Sequence, residues 1–220
     1  MRRNPKEIPL KYPLTTWLPP KVCVALSGGE DSTAAWQVLR LGPYRHRCKV
    51  THIVHVNHST RDADYTETQV LKAGESLDVE VKTYKLDKAS EGVWSRQRRD
   101  IYEAQDVPVV VGHHLDDAVT WYTMQVLKGN VRQSRYMPPT KGNVLRPFML
   151  FPKAHLFMAG WHRWDDFPYQ LPTHDASNDN PRANTRNGIR RMLEWAPGQA
   201  NPTNHISKTY RRYISNGYSF

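Results

Sequence analysis

The first 128 residues alternate short apolar runs with longer segments of helical spacing. The apolar runs are rich in β-branched residues, as in strands buried on both faces, and such strands separated by helices are typical of a parallel sheet built from βαβ units. We therefore predict an α/β fold with a doubly wound parallel sheet, whose ligands bind at the carboxyl ends of the strands. The predicted strands are Val22–Leu26, Val50–Val56, Val79–Tyr84 and Val107–Val111, and the predicted helices are Ser32–Leu41, Asp64–Leu77, Ser90–Ala104 and Leu115–Lys128.

The composition changes after Lys128. A Pro/Gly/Arg-rich loop leads to a predicted short last strand within 143–149, and a helical segment follows at Pro152–Trp164. Another helix is predicted after Asn180 and Pro181, which suit an N-cap and a first turn. Residues 128–220 hold 14 Lys and Arg against 5 Asp and Glu, whereas residues 1–127 hold 17 against 16. We predict an α/β domain over 1–150 and a basic, mainly helical extension over 151–220. The concentrated positive charge favours a polyanionic partner, with solubility alone as the alternative.

Several classes of protein are disfavoured by the sequence. No apolar run is long enough to cross a bilayer and no apolar stretch follows the basic N-terminus, so we expect a cytoplasmic protein. Cys23 and Cys48 do not form a C-x-x-C pair, which argues against a zinc ribbon, a cysteine-held iron–sulfur cluster and a disulfide framework. The oligomeric state stays open, with a homodimer among the options.

The loop after the first predicted strand reads Ser27-Gly28-Gly29-Glu30-Asp31-Ser32. It is neither a Walker loop nor a dinucleotide-binding loop. Its glycines allow close approach of the backbone to oxygen atoms, its serines add hydroxyls, and the following helix offers free N–H groups to an anion. Asp31 is a poor neighbour for phosphate unless Mg²⁺ lies between them or the side chain caps the turn.

This loop resembles the PP-loop of the N-type ATP pyrophosphatases. Further motifs, in the same order, resemble those of the tRNA(Ile)-lysidine synthetase family and extend the likeness from residue 22 to about 195. They are His55-Val56-Asn57-His58-Ser59-Thr60-Arg61 for HVNHGLR, Ser95-Arg96-x-x-Arg99 for ARxxRY, His113-His114-Leu115-Asp116-Asp117 for HHxDDQxET, Arg146-Pro147-Phe148 for RPL, and Asp175-x-Ser177-Asn178 with Arg186-Asn187-Gly188-Ile189-Arg190 for DxSN and RNxIR.

The resemblance implies a Rossmann-like fold of the adenine nucleotide alpha hydrolase type and a reaction with ATP, Mg²⁺, tRNA and L-lysine. The wobble cytidine of a CAU-anticodon isoleucine tRNA would be adenylated at C2, and the lysine ε-amine would displace AMP to form lysidine. Catalysis is assigned to Asp31, Asp117, Arg186 and Arg190, with Asp31 also as the Mg²⁺ ligand. Nucleotide binding is assigned to Ser27, Gly28, Gly29, Asp31, Ser32, His55, Asn57, Arg96 and His113. Binding of the other substrates is assigned to Asp116, Asp117, Arg146, Asp175, Asn178, Arg182, Arg191, Arg211 and Arg212.

Simpler interpretations stand beside these assignments. His113 and His114 could be a zinc pair, although adjacent residues point apart; His55 and His58 could merely end a strand. Arg96, Arg98 and Arg99 could be a solvated helix face, and Asp175 to Asn178 could only cap the next helix. Arg186 and Arg190, four apart, share a helix face suited to RNA phosphate or the activated intermediate.

The sequence also departs from the family pattern. Ala118 and Thr120 stand where the family has Gln and Glu, the loop at Asn130–Pro139 is not Gly-rich, and about 25 residues follow Trp195. A short form would hold its RNA through the basic second half. Two other functions therefore stay open, a different adenylating RNA-modification enzyme such as a tRNA thiolase and a non-catalytic RNA-binding descendant.

Overall fold

The structure is a computed structural model that describes residues 14–40, 44–60, 62–130, 137–161, 171 and 185–195. The strands are β1 Lys21–Ala25, β2 Lys49–Asn57, β3 Glu80–Lys85, β4 Val109–Val110, β5 Thr140–Lys141 and β6 Val144–Leu145. The helices are α1 Glu30–Arg40, α2 Ala63–Ser76, α3 Glu91–Glu103, α4 Leu115–Leu127, α5 Lys153–Trp161 and α6 Thr185–Trp195.

The strands form one sheet in the order β3-β2-β1-β4-β6-β5. All neighbouring pairs are parallel except β5 and β6, which run antiparallel at one edge. Because β2 and β3 are added on one side of β1 and the chain then crosses to add β4 on the other side, the carboxyl ends of β1 and β4 flank the switch point where ligands bind in such sheets. The predicted α/β fold is confirmed, and the short strand β5 is an addition that the sequence did not predict.

Helices cover both faces of the sheet, as expected for a doubly wound fold. Along β1, Val22 and Val24 belong to the core cluster that includes the buried face of α1, whereas Cys23 and Ala25 belong to the cluster against which Ile101 of α3 packs. This alternation follows from the two-residue period of a strand. β1 is therefore buried on both sides and fixes the position of the loop that follows it.

The third strand and its helix differ from the expected pattern. Neither β3 nor α3 contains a fully buried residue, and β3 reads Glu-Val-Lys-Thr-Tyr-Lys. β3 has β2 as its neighbour on one side and forms the opposite edge of the sheet. A strand at that position needs only one partly buried face, so the expectation of strands apolar on both faces is wrong here.

The two described helices beyond residue 150 pack on the α/β core. Leu156 of α5 lies in the same apolar cluster as the buried face of α1, and Ile189 and Leu193 of α6 pack with Leu115 and Val119 of α4. The boundary at residue 150 stays a prediction, and Asn180 and Pro181 lie outside the described residues. Within the described part of the chain, no helix has the length and apolarity needed to cross a membrane.

Gly112 allows the end of β4 to approach the first turn of α1 closely. A Cβ atom at this position would stand 2.6 Å from the carbonyl oxygen of Asp31 and 2.9 Å from the Cα of Ser32. Both contacts are with backbone atoms, which cannot rotate away as a flexible side chain can. Gly112 therefore sets the distance between two loops at the carboxyl edge of the sheet.

We predict that Gly112→Ala lowers the free energy of unfolding by about 1–3 kcal/mol, the usual range for overpacking a well-packed core. Gly92→Ala on α3 is the matched control, since a Cβ atom there meets nothing within 4 Å beyond its chain neighbours and the backbone of its own helix. The control should be neutral or slightly stabilising, because alanine favours a helix by up to about 1 kcal/mol over glycine. Urea denaturation measures both, and equal midpoints for the two variants would contradict the proposed close approach.

Candidate functional site

The loop between β1 and α1 is built as an anion cradle. Gly28 has a φ of 86°, which a residue with a side chain rarely adopts. The Oγ of Ser32 accepts from the backbone N–H of Ser27 at 3.2 Å and donates to the carbonyl of Gly29 at 3.0 Å, and the two serine hydroxyls lie 2.9 Å apart. These bonds hold the loop against the N-terminus of α1, where backbone N–H groups favour negative charge.

Asp31 pairs with two cationic side chains. Its Oδ1 lies 3.3 Å from Nζ of Lys153 and 3.3 Å from Nε2 of His114, and Lys153 also contacts Oε2 of Glu30 at 2.9 Å. Protein cations thus neutralise Asp31 beside the anion cradle. This is a third way for a carboxylate to lie close to a phosphate site, besides the Mg²⁺ ion and the turn-capping role considered from the sequence. Burial would raise the pKa of Asp31, but the nearby positive charges of His114 and Lys153 outweigh it and lower this pKa.

Asp117 is the centre of a buried ion network. Its side chain is 2% exposed, and its Oδ1 accepts hydrogen bonds from Arg186 and from Nη2 of Arg190, the latter at 2.7 Å. Its Oδ2 accepts the backbone N–H of His114 at 3.1 Å, as an acidic residue in the first turn of a helix can. Asp117 therefore links the start of α4 to two arginines that lie one turn apart on α6.

His114 lies among three carboxylates. In addition to its contact with Asp31, its Nδ1 is 3.3 Å from Asp116 and its Nε2 is 3.4 Å from Asp117, while its side chain is 1% exposed. These are ion-pair distances without the alignment of hydrogen bonds. The other contact of Asp116 is with the backbone N–H of Lys153, which donates to its Oδ2 at 2.7 Å and so ties α5 to the site.

The carboxylates keep His114 protonated. Burial alone lowers the pKa of the imidazole, but the negative charges of Asp117, Asp116 and Asp31 outweigh it and raise the pKa to about 10. Burial would raise the pKa of Asp117, yet the positive charges around it, chiefly that of His114, hold this pKa far below its usual range. Asp117 therefore remains an anion and is poorly suited to accept a proton from a substrate.

Among the residues that the structure describes, the network is balanced in charge. Its cations are His114, Lys153, Arg186 and Arg190, and its carboxylates are Glu30, Asp31, Asp116 and Asp117. Of these, Arg186 and Lys153 have side chains that are 47% and 45% exposed. Those two cations are the network members most open to an anionic ligand, and Lys153 already contacts Glu30 and Asp31 of the loop after β1.

A metal ion can also be considered at this point. Ligand atoms of Asp31, His114 and Asp117 lie within 4.8 Å of one another. Mg²⁺ prefers oxygen ligands and usually binds one or two carboxylates together with phosphate oxygens and water. The carboxylate of Asp31 beside the cradle fits that preference, whereas the imidazole of His114 offers a nitrogen ligand and fits it less well.

His113 faces away from the network and towards Arg146. Nε of Arg146 donates to Nδ1 of His113 at 3.3 Å, and Nη1 of Arg146 donates to the carbonyl of Pro138 at 3.1 Å. Burial, with the nearby arginine charges, lowers the pKa of His113 to about 4. The two adjacent histidines thus point apart, which agrees with the geometric objection to a zinc pair, and they carry different charges at neutral pH.

Two side chains of β2 that the sequence predicts to bind nucleotide make hydrogen bonds within the protein. His55 is 2% exposed and its Nδ1 donates to the carbonyl of Leu26 at 2.8 Å. Asn57 is 1% exposed, and its amide donates to Asp64 and Glu67 at 2.9 and 2.6 Å while its oxygen accepts from the N–H of Ser59. His55 thus contacts the residue before the cradle and Asn57 contacts the first turns of α2, and their assignment to the nucleotide stays a prediction.

The remaining candidates lie at the surface or outside the described residues. Arg96 on α3 and Arg191 on α6 are exposed. On α3 it is Arg98 that turns towards the end of β2, where it contacts His58 at 3.3 Å and Glu91 at 2.8 Å. Outside the described residues lie Asp175, Asn178, Arg182, Arg211 and Arg212.

Sequence reasoning gave no site role to three members of the network, Glu30, Lys153 and His114. Lys153 gave no signal except its place after Pro152, where a lysine at a helix N-terminus opposes the helix dipole. His114 was noticed, but only as part of a zinc pair. Its neighbours Asp116 and Asp117 were the available signal, since three carboxylates need a cation when they are brought together.

We predict that, in protein free of metal and nucleotide, His114 is protonated and His113 neutral at pH 7. Nitrogen NMR of the two imidazoles measures this, with His114→Gln and His113→Gln as assignment controls. Because the folded-state pKa of His114 is raised from 6.5 to about 10, its stabilisation is complete below pH 6.5 and is lost as the pH rises through about 10. A neutral His114 at pH 7, or stability that is flat over this range, would contradict the network.

Comparison with known proteins agrees with this geometry. A model of the PP-loop domain matches residues 7–195. Three curated relatives are each named tRNA(Ile)-lysidine synthase: those of Streptococcus sanguinis, Persephonella marina and Streptococcus gordonii are 29%, 25% and 27% identical over 170, 186 and 177 residues. The matches cover 72%, 77% and 72% of this chain but 37%, 40% and 37% of the relatives. The chain therefore spans well under half the length of these relatives.

A solved structure extends the likeness to the fold. A U34-tRNA thiolase from Methanococcus maripaludis, described with its 4Fe-4S cluster, superimposes with a TM-score of 0.59 at 19% identity. The match covers 90% of this chain and 72% of that one, and it shows the shared fold alone. Since the PP-loop model covers most of the chain and its motif residues form the anion cradle and the ion network, the chain belongs to the PP-loop domain family.

Proposed function

We propose that this chain catalyses ATP-dependent modification of tRNA, in which the wobble cytidine of a CAU-anticodon isoleucine tRNA is adenylated at C2 and L-lysine displaces AMP to form lysidine. The products would be lysidine-containing tRNA, AMP and pyrophosphate. The PP-loop domain match and the printed names of the relatives support an adenylating enzyme that acts on tRNA. The relatives are 25–29% identical to this chain, and the matches cover 37–40% of their length. The identity of the tRNA and of the second substrate is therefore part of this proposal.

One observation carries the proposal. Asp117, at the start of α4, binds Arg186 and Arg190 of α6 and lies in one ion network with Asp31 of the loop after β1. Three motifs that are far apart in the sequence, SGGEDS, HHLDD and RNGIR, therefore meet at the carboxyl ends of β1 and β4. A chain that only bound RNA would have no need to keep the phosphate cradle joined to these arginines.

The proposed roles follow from exposure and charge. Ser27, Gly28, Gly29 and Ser32 would hold the β and γ phosphates, and Asp31 would bind Mg²⁺, which neutralises phosphate charge when it is bound. Arg186, which is partly exposed, would contact the α phosphate or the adenylated base, while Asp117 fixes its orientation. Asp117 would then act in catalysis as a fixed anion, because its lowered pKa makes it a weak base.

A different PP-loop modification, such as tRNA thiolation, is the second candidate. Its support is the fold of the thiolase, and the cysteines of this chain count against it. Cys23 is fully buried and Cys48 is 5% exposed. Burial raises the pKa of the Cys23 thiol to about 12, so it forms no thiolate at neutral pH. Thiolation by this chain would need sulfur delivered by another molecule.

The decisive experiment supplies the protein with ATP, radiolabelled L-lysine and a CAU-anticodon isoleucine tRNA. We expect lysine-dependent and tRNA-dependent release of pyrophosphate and transfer of label to the tRNA. Pyrophosphate release without label transfer would favour another adenylating modification. RNA binding with neither signal would favour the non-catalytic descendant.

We predict that Asp31→Ala reduces pyrophosphate release at least about 100-fold, the scale expected when a positioned catalytic group is lost, and changes the Kd for tRNA less than about twofold. The reason is that Asp31 lies beside the phosphate cradle and contacts Lys153 and His114. Asp106→Ala, an exposed carboxylate in the loop before β4, is the matched control and should change neither quantity. An equal loss of tRNA binding and turnover in Asp31→Ala would refute the separation of the two surfaces.

A further inference from the structure

A cavity lies at the amino ends of the strands, at the opposite end of the sheet from the PP-loop. It has a volume of about 530 Å³ and is formed by the C-terminal end of α1, the turn before β2, the first residues of β2 and the turn before β3. We call it the basic pocket and define it by the polar members of its lining, which are Arg40, Arg45, His46, Arg47, Lys49, Thr51 and Asp78.

The positive charge of the basic pocket is local. Residues 40–49 contain four Arg and Lys and no Asp or Glu, although residues 1–127 as a whole carry 17 basic residues against 16 acidic ones. Asp78 is the acidic residue among the described lining. The basic residues of this half of the chain are therefore concentrated at the pocket, not evenly spread. A pocket with this excess of positive charge is suited to an anion.

The turn that carries much of this charge is anchored to the core. Tyr44 is buried to 9% exposure, and the backbone N–H of Arg47 closes the turn by donating to the Tyr44 carbonyl at 2.9 Å. The Arg47 guanidinium lies 5.6 Å from the centre of the Tyr44 ring, a cation–π distance. Arg45, His46 and Arg47 are exposed on this turn. Their backbone is therefore fixed while their side chains face solvent.

The distance from the PP-loop limits what can occupy the pocket. Thr51 of β2 lines the pocket, and Asn57 ends β2 at the carboxyl side of the sheet. At about 3.3 Å per residue, the pocket and the carboxyl end of β2 are separated by roughly 20 Å. ATP bound at the cradle cannot reach so far. A ligand that reacts at the carboxyl edge and also fills the basic pocket must be a polymer with repeated negative charge.

We propose that the basic pocket binds the phosphate backbone of the RNA substrate at a distance from the reacting base. This inference rests on the proposed tRNA-modifying function and adds a contact surface in the first half of the chain, where sequence charge alone indicated none. Arginine side chains suit phosphate because they donate two hydrogen bonds in a fixed plane. The contact is independent of sequence and positions the RNA without reading its bases.

The test measures binding of full-length tRNA by fluorescence anisotropy over a range of salt concentrations, without ATP or lysine. The variant is Arg45→Gln with Arg47→Gln, and the matched control is Lys72→Gln with Lys141→Gln, two exposed lysines outside the pocket lining. The arginine variant should raise the Kd roughly tenfold and lower the slope of log K against log salt by about 2, since each lost phosphate contact removes about one unit. The control should change the Kd less than about twofold.

Thermal unfolding checks that both proteins remain folded, and Lys49→Gln, which leaves the turn intact, should lower the slope by about 1. An unchanged slope in both pocket variants, or an equal change in the control, would overturn the proposal. Because the assay contains no ATP or lysine, its outcome is separate from lysine transfer. If the protein transfers lysine but the pocket variants bind tRNA normally, the basic pocket is refuted and the proposed function stands. If the pocket variants bind tRNA weakly but no lysine is transferred, RNA binding by the pocket stands and the proposed function is refuted.

Discussion

The buried carboxylate of Asp117 is the interaction on which the candidate site depends. An ionised group with 2% side-chain exposure is stable only when opposite charges and hydrogen bonds surround it, and here they come from His114, Arg186 and Arg190. The arginines are brought within reach by apolar packing of α6 on α4, where Ile189 and Leu193 are buried. Packing and charge therefore act on the same pair of helices.

The constraint extends to the PP-loop through His114. Its protonated ring lies between Asp117 on one side and Asp31 at the start of α1 on the other, and Gly112 lets these segments approach each other. Loss of His114 would remove a cationic neighbour from Asp31 and from Asp117 at the same time, because its ring lies between the two carboxylates. This coupling explains why the site behaves as one unit although its residues come from three distant parts of the chain.

Much of the fold could be predicted from the sequence, because the central strands are buried on both faces and therefore consist of continuous apolar runs. The edge strand β3 fitted that pattern less well, since half-buried residues can be polar, and β5 is too short to give any periodic signal. The motifs predicted which segments meet at the site. They did not predict Lys153 of α5, because its partners Glu30 and Asp31 lie more than a hundred residues away and only the packed fold brings them together.

The departures from the family motifs acquire physical meaning in the structure. Ala118 and Thr120 are 1% and 2% exposed, and the Thr120 hydroxyl donates to the carbonyl of Asp116 at 2.7 Å. A glutamate at 120 would add a buried carboxylate to a network whose charges already balance. Ser59, at the position of the family glycine, has a φ of 53° and donates to the Leu86 carbonyl from its Oγ at 2.6 Å, a bond that a glycine lacks.

The coupling between Asp117 and Arg190 is the central claim, and a double-mutant cycle of unfolding free energy measures it most directly. Asp117→Asn, Arg190→Gln and the double variant would be compared with the unmodified protein by urea denaturation. We predict that the double variant loses about 1–3 kcal/mol less unfolding free energy than the two single variants lose together, as for residues within one charged network. Additive losses, within about 0.5 kcal/mol, would contradict it.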